Sequence, residues 1–175
     1  LTRATYNARK KPPELYSHND QSNLWQIGSG SGSSNPQGFG GKIAGMNRGV
    51  QAGDIIKVGK TVELECLDTP GHTMCHICLR SHTEQPALFS GDTLFNAGAG
   101  NCHNGGDPVA LYATFVEQLA RLPDGTQVYP GHDYNGMGVS SIGEERRFNP
   151  RLGGDVAEAD FAGFMRHLGL PHPKK

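Results

Sequence analysis

Residues 87–95, ALFSGDTLF, open as an apolar strand run, stop at Gly91 and place a carboxylate, Asp92, directly after the stop. The same form stands upstream in residues 66–73, CLDTPGHT, which carry His72. It recurs downstream in residues 127–134, QVYPGHDY, which carry His132 and Tyr134. A strand fixes direction, and a Gly just before each polar residue lets backbone approach closely. Side chains at the ends of several strands converge at one sheet edge, where a rigid scaffold can hold a site. A lone His after Gly in a turn reads as a surface residue; three such segments in series read as a ligand set. Two imidazoles and a carboxylate suit zinc, iron or manganese.

Working outward, residues 54–58 (DIIKV) and 61–68 (TVELECLD) read as a hairpin around Gly59-Lys60, the second run alternating Val62, Leu64 and Cys66 against Glu63 and Glu65. Residues 76–81 and 86–90 give two more strands, and 126–129 another. Asp107-Pro108 opens a helix with the apolar stripe Leu111, Tyr112, Phe115, Leu119 and Leu122. Ser141 and Glu144 form a capping box for a short helix; Asp155 and Glu158 open a last one that ends at Gly169. Residues 1–27 read as the end of a helix and a short strand around Leu15 and Tyr16, and residues 28–41 (GSGSGSSNPQGFGG) as a linker. The Gly residues of that linker lack the Lys-Ser/Thr that a phosphate loop requires. The class is α/β or α+β, with no internal repeat.

A chain of 175 residues can bury one core, and a formal charge of -1 excludes the basic excess of a nucleic-acid binder. No apolar run approaches the roughly 20 residues of a membrane helix. The expected compartment is the cytoplasm. Cys75 and Cys78 make a C-x-x-C with no second ligand pair, so these thiols and those of Cys66 and Cys102 read as small buried hydrophobes. Along a strand His76 would lie about 13 Å from His72, which argues against joint ligation. The run Glu144, Glu145, Arg146, Arg147 reads as a solvated helix face, and His82, His167 and His172 read as solvated.

The motifs T-P-G-H-T, S-G-D-T-L-F and P-G-H-D-Y, in this order and spacing, resemble the later motifs of the metallo-β-lactamase superfamily. They look most like its glutathione-linked thiol branch, the hydroxyacylglutathione hydrolases and persulfide dioxygenases. The resemblance covers residues 50–170. It implies the C-terminal part of an αββα sandwich, with His72 on a first metal, Asp92 bridging two metals or holding a single iron, and His132 on a second. By the same resemblance Tyr134 would touch the glutathione moiety, and the loop bearing Asn101 and His103 would border the thiol substrate. The family places H-x-H-x-D-H ahead of these motifs, and this chain has no such run; His18 stands alone. Residues 1–175 are therefore expected to form one partial domain. Its remaining ligands would come from an N-terminal segment, the native start lying upstream of Leu1.

The implied activity is hydrolysis of a glutathione thioester by a metal-activated hydroxide, with two zinc ions and a small thiol substrate. The chain alone is expected to be inactive, and a homodimer is compatible with it. Two rivals stand beside this. The tail HDYNGMGVSSIGEERRFNPRL resembles the iron-dependent persulfide dioxygenases, whereas the loop GNCHNGG does not. The other rival is a non-enzymatic fragment that needs an N-terminal partner to cover an apolar sheet face.

Overall fold

The hairpin at Gly59-Lys60 seeds a six-stranded mixed sheet in a computed structural model that describes residues 16–18, 48–103 and 105–169. Strand β1 (Tyr16–His18) pairs in parallel with β2 (Arg48–Val50) as a small separate sheet. The main sheet runs in chain order: β3 (Ile55–Val58), β4 (Val62–Asp68), β5 (Ile77–Ser81), β6 (Ala87–Gly91), β7 (Gln127–Pro130) and β8 (Ser140–Ser141). Neighbours are antiparallel except β6 and β7. Strands β4, β6 and β7 consequently point the same way, and their C-terminal ends share one edge.

The two sheet faces have different fates. Cross-strand partners share a face, and Leu67 with Cys78, then Leu88 with Val128, place one apolar row under the helices. Helix α1 (Pro108–Ala113) continues through a π-helical turn and a 3₁₀ turn to Arg121, and α3 (Glu158–Arg166) packs against it. Leu111, Phe115, Leu119, Phe161 and Met165 close the main core with that row. The opposite face carries Ile56, Cys66, Leu64, Ile77 and Leu79 around the buried Val50. On the same face the stacked rings of Phe89 and Tyr129 stay 43% and 37% exposed.

Helix starts match the expected caps where the signal is local. The Asp107 carboxylate accepts from the N–H of Val109 at 3.1 Å, and Pro108 is the first helical residue. Ser141 and Glu144 exchange both bonds of a capping box at the head of α2 (Ile142–Phe148). The last helix differs: it begins at Glu158 behind an uncapped Ala157 and ends at Arg166, rather than running from Asp155 to Gly169. Tertiary contact explains the late start, because Tyr112 donates to the Val156 carbonyl at 2.7 Å, Val156 packs on the core and Ala157 behind it is extended. The helix end and the linker expected within residues 1–41 lie outside the described residues, as does His172. The four cysteines are buried, and none of them is in a disulfide.

Candidate metal centre

His72, Asp92 and His132 stand just beyond the C-terminal ends of β4, β6 and β7. The Asp92 carboxylate sits between the two imidazoles. His72 Nε2 is 3.5 Å from Oδ2, and His132 Nε2 is 3.5 Å from Oδ1. Each oxygen thus faces its own imidazole, and among the described residues no three such side chains close around a single point.

Each ligand candidate is held by its own turn. The N-cap of α1 and the π-helical turn that continues it grip the His72 turn, through Gln118 on the Asp68 carbonyl (3.1 Å), Thr114 on the Pro70 carbonyl (2.7 Å) and the Asp107 N–H on the Gly71 carbonyl (2.8 Å). The π-helical turn sets Thr114 and Gln118 on that side. The β6 ladder slips register between Phe89 and Gly91, and the Gly131 N–H then donates to the Gly91 carbonyl at 2.7 Å. Gly131 has no room for a side chain: a Cβ there would lie 2.6 Å from Asp92 Oδ1. The imidazole of His72 donates from Nδ1 to the Asn101 carbonyl at 2.5 Å, which leaves Nε2 bare toward Asp92. A ring nitrogen tied to a carbonyl in this way fixes the tautomer a metal-binding imidazole needs.

His76 corrects the strand-based expectation. Because His72 lies in a turn, the two rings approach edge to face at 5.9 Å. Both nitrogens of His76 are engaged: Nε2 accepts from the Asp92 N–H at 3.2 Å, so Nδ1 carries the proton toward Thr93 (2.8 Å) and Thr69 (3.0 Å). Burial, with the neighbouring His72, pushes the His76 pKa down to about 4 against a smaller opposing pull from Asp92. His76 is therefore a neutral floor under Asp92, a role no spacing rule announces.

The rim is aromatic. Tyr134 is 73% exposed, and its ring lies 5.4 Å from both His132 and Phe95. The Asp133 carboxylate gathers the N–H groups of Met137 and Gly138, which shapes this loop and holds its pKa below the usual carboxylate range. Asn101 places its carbonyl on His72 and its side-chain oxygen on the N–H of His103, which is exposed on the rim. Beside them the Cys102 thiol is pushed up to about 11, by burial and by Asp107.

Glu145 is the second correction. It is 3% exposed rather than solvated, and its carboxylate accepts from Ala97 N–H, Ser140 Oγ and Asn149 Nδ2. Arg146 and Arg147 reach Asp124 instead. Apart from its own helix end, the partners of Glu145 include a backbone N–H far off in sequence, so nothing local marks it.

The donor set fits a metal. Two imidazole nitrogens and a shared carboxylate lie within a few ångströms, with the proton of His72 Nδ1 held by a carbonyl behind it.

No family model matches the chain. Over 95 residues it is 88% identical to a hydroxyacylglutathione hydrolase of Polaromonas sp. (strain JS666), covering 54% of this chain and 36% of that protein. Over 129 residues it is 35% identical to the mitochondrial persulfide dioxygenase ETHE1 of Homo sapiens, covering 72% of this chain and 48% of that one. The crystal structure of ETHE1 from Myxococcus xanthus superposes with a TM-score of 0.66 at 40% identity, covering 73% of this chain and 55% of that chain. The chain thus spans about a third to a half of the length of these two curated relatives. Both enzyme types are those whose motifs its three strand ends resemble, and these likenesses together support the metallo-β-lactamase superfamily, in its glutathione-thiol branch.

Proposed function

We propose that this chain carries the Asp92 side of a two-metal centre in a hydrolase of glutathione thioesters. The observation that supports it is the splay of Asp92, with one oxygen toward His72 and the other toward His132, each at 3.5 Å. A bridging carboxylate has this form, whereas a facial triad gathers its ligands around one ion. His72 and Asp92 would hold one zinc, and Asp92 and His132 the other. When bound, such ions act as Lewis acids and acidify a water at neutral pH.

The chain's own groups do the rest. Asp92 offsets cation charge and fixes the spacing of the two sites. His76, kept neutral, adds no positive charge beneath them. Tyr134 and Phe95 offer an aromatic wall on the His132 side, and His103 with Asn101 borders the opposite rim, as contacts for the thiol-bearing substrate. A thiolate departs readily, so the site needs no strong general acid. Further ligands must complete the two shells, and we assign them to a segment bearing H-x-H-x-D-H.

A second reading, a single-iron persulfide dioxygenase, draws on the ETHE1 likeness and on the EERRFNPRL tail. Metal analysis and turnover of the full-length protein carrying this chain decide between them. Two zincs per chain with thioester hydrolysis is the expected result. One iron per chain with oxygen uptake on a glutathione persulfide would replace this reading with the second.

A further inference from the structure

Between Asp92 and Asn101 the chain makes a sharp turn whose successive residues are each held by a side chain from elsewhere. The Asn96 carbonyl accepts from Asn135 Nδ2 at 2.9 Å. The Ala97 N–H points at both oxygens of Glu145, at 3.1 and 3.2 Å. The Gly98 carbonyl accepts from Asn149 Nδ2 at 3.0 Å, and the Ala99 carbonyl from Arg151 Nη1 at 2.8 Å. Ala97 itself holds φ 56, a left-handed conformation that a side chain resists unless its surroundings impose it.

Three of these four holders form one unit at the end of α2. Asn149 donates to Glu145 at 2.7 Å, and its Oδ1 accepts from the N–H groups of Arg151 and Leu152 at 2.9 and 3.1 Å. Among the described residues no cation pairs with the Glu145 carboxylate; hydrogen bonds alone support it at 3% exposure. Burying a carboxylate is costly, so its donors are tied to a fixed geometry rather than to generic stability. Directly after the braced turn comes the imidazole's own partner. Gly100 sits where a Cβ would lie 2.9 Å from His72 Nδ1, and the Asn101 carbonyl takes the His72 Nδ1–H.

We infer that Glu145, Asn149 and Arg151 are positioning residues for His72. They fix the turn that aims the Asn101 carbonyl, and so hold the ring with its proton on Nδ1 and Nε2 free toward Asp92. An unconstrained imidazole in water favours the proton on Nε2, so the brace works against an intrinsic preference. The inference rests on His72 as a metal ligand only for its consequence; the ring's tautomer is a property of the metal-free chain.

The test is imidazole ¹⁵N NMR of the metal-free chain at about pH 8, where an ordinary imidazole is neutral. The parent should show His72 protonated on Nδ1. Asn149→Ala and Arg151→Ala should move His72 toward the Nε2–H form, and Arg151→Lys, which keeps a donor for the Ala99 carbonyl, should restore the parent pattern. Zinc titrated into the two alanine variants should bind about 10- to 100-fold more weakly than to the parent. Phe161→Leu, on the buried side of α3, should lower Tm and leave the tautomer alone. An unchanged His72 in both alanine variants overturns the inference, as does an equal shift in Phe161→Leu. If Asn149→Ala does not fold, the Arg151 pair decides, since that side chain is only half-buried. Unchanged zinc affinity in His72→Ala would instead refute the ligand reading and leave the tautomer result standing.

Discussion

At the scale of single residues, the proposed centre depends most on Asp92. Replacing it with Ala in the full-length protein should strip metal and abolish turnover, since two cations would then face each other without a shared anion. Activity within about tenfold of the parent would remove it from the centre. His76 gives a pH signature. Its folded-state pKa of about 4 lies below the ordinary 6.5, so the folded chain binds fewer protons than the unfolded one between those values. The stability it contributes is full above pH 6.5 and drains away as pH falls toward 4, by at most about 3 kcal/mol. Urea unfolding of the metal-free chain across that window should show the slope, and His76→Gln should flatten it. The cysteines make a third case. Burial pushes Cys78 up to about 11, as it does Cys102, so iodoacetamide at about pH 8 should alkylate both far more slowly in the native chain than in urea.

At the scale of elements, what is legible in the sequence is whatever the chain states locally. The three strand ends stand out because each apolar run stops at a Gly beside a polar residue, and the heads of α1 and α2 do so through their caps. Removing one such signal should have a matching local cost: Ser141→Ala should destabilise by about 1 kcal/mol in urea unfolding, through loss of the capping box. The start of α3 is not legible, because Tyr112 and the core hold Val156 ahead of the helix. Glu145 is not legible either, because its partner Ala97 stands 48 residues away. His76 escapes for a related reason: the turn at Gly71 brings it back toward His72, and no spacing rule along a strand describes that.

At the scale of the whole molecule, the ligand count sets the expectation. His72, Asp92 and His132 supply fewer donors than a two-metal centre requires. Residues 1–175 alone should bind zinc far more weakly than the full-length protein and should not hydrolyse glutathione thioesters. Adding a polypeptide that bears H-x-H-x-D-H should restore both, because shared metal would tie the two parts together. Calorimetry on the isolated chain is the check: tight, stoichiometric uptake of two zincs with full activity would show that the chain provides its own complement.

The brace behind His72 also has a history within each folding event. The contacts that hold its turn join residues 48, 51 and 52 positions apart across α1 and β7, and the His72–Asn101 bond closes a span of 29 across β5 and β6. Long loops must close before such contacts can form, so they belong to the late, high-contact-order part of assembly. A nascent or refolding chain would have its hairpin and helices well before His72 acquired its orientation. The competence to hold a metal would then be the last property to mature, and a chain that stalls short of the native state would be blind to the ion even at high concentration.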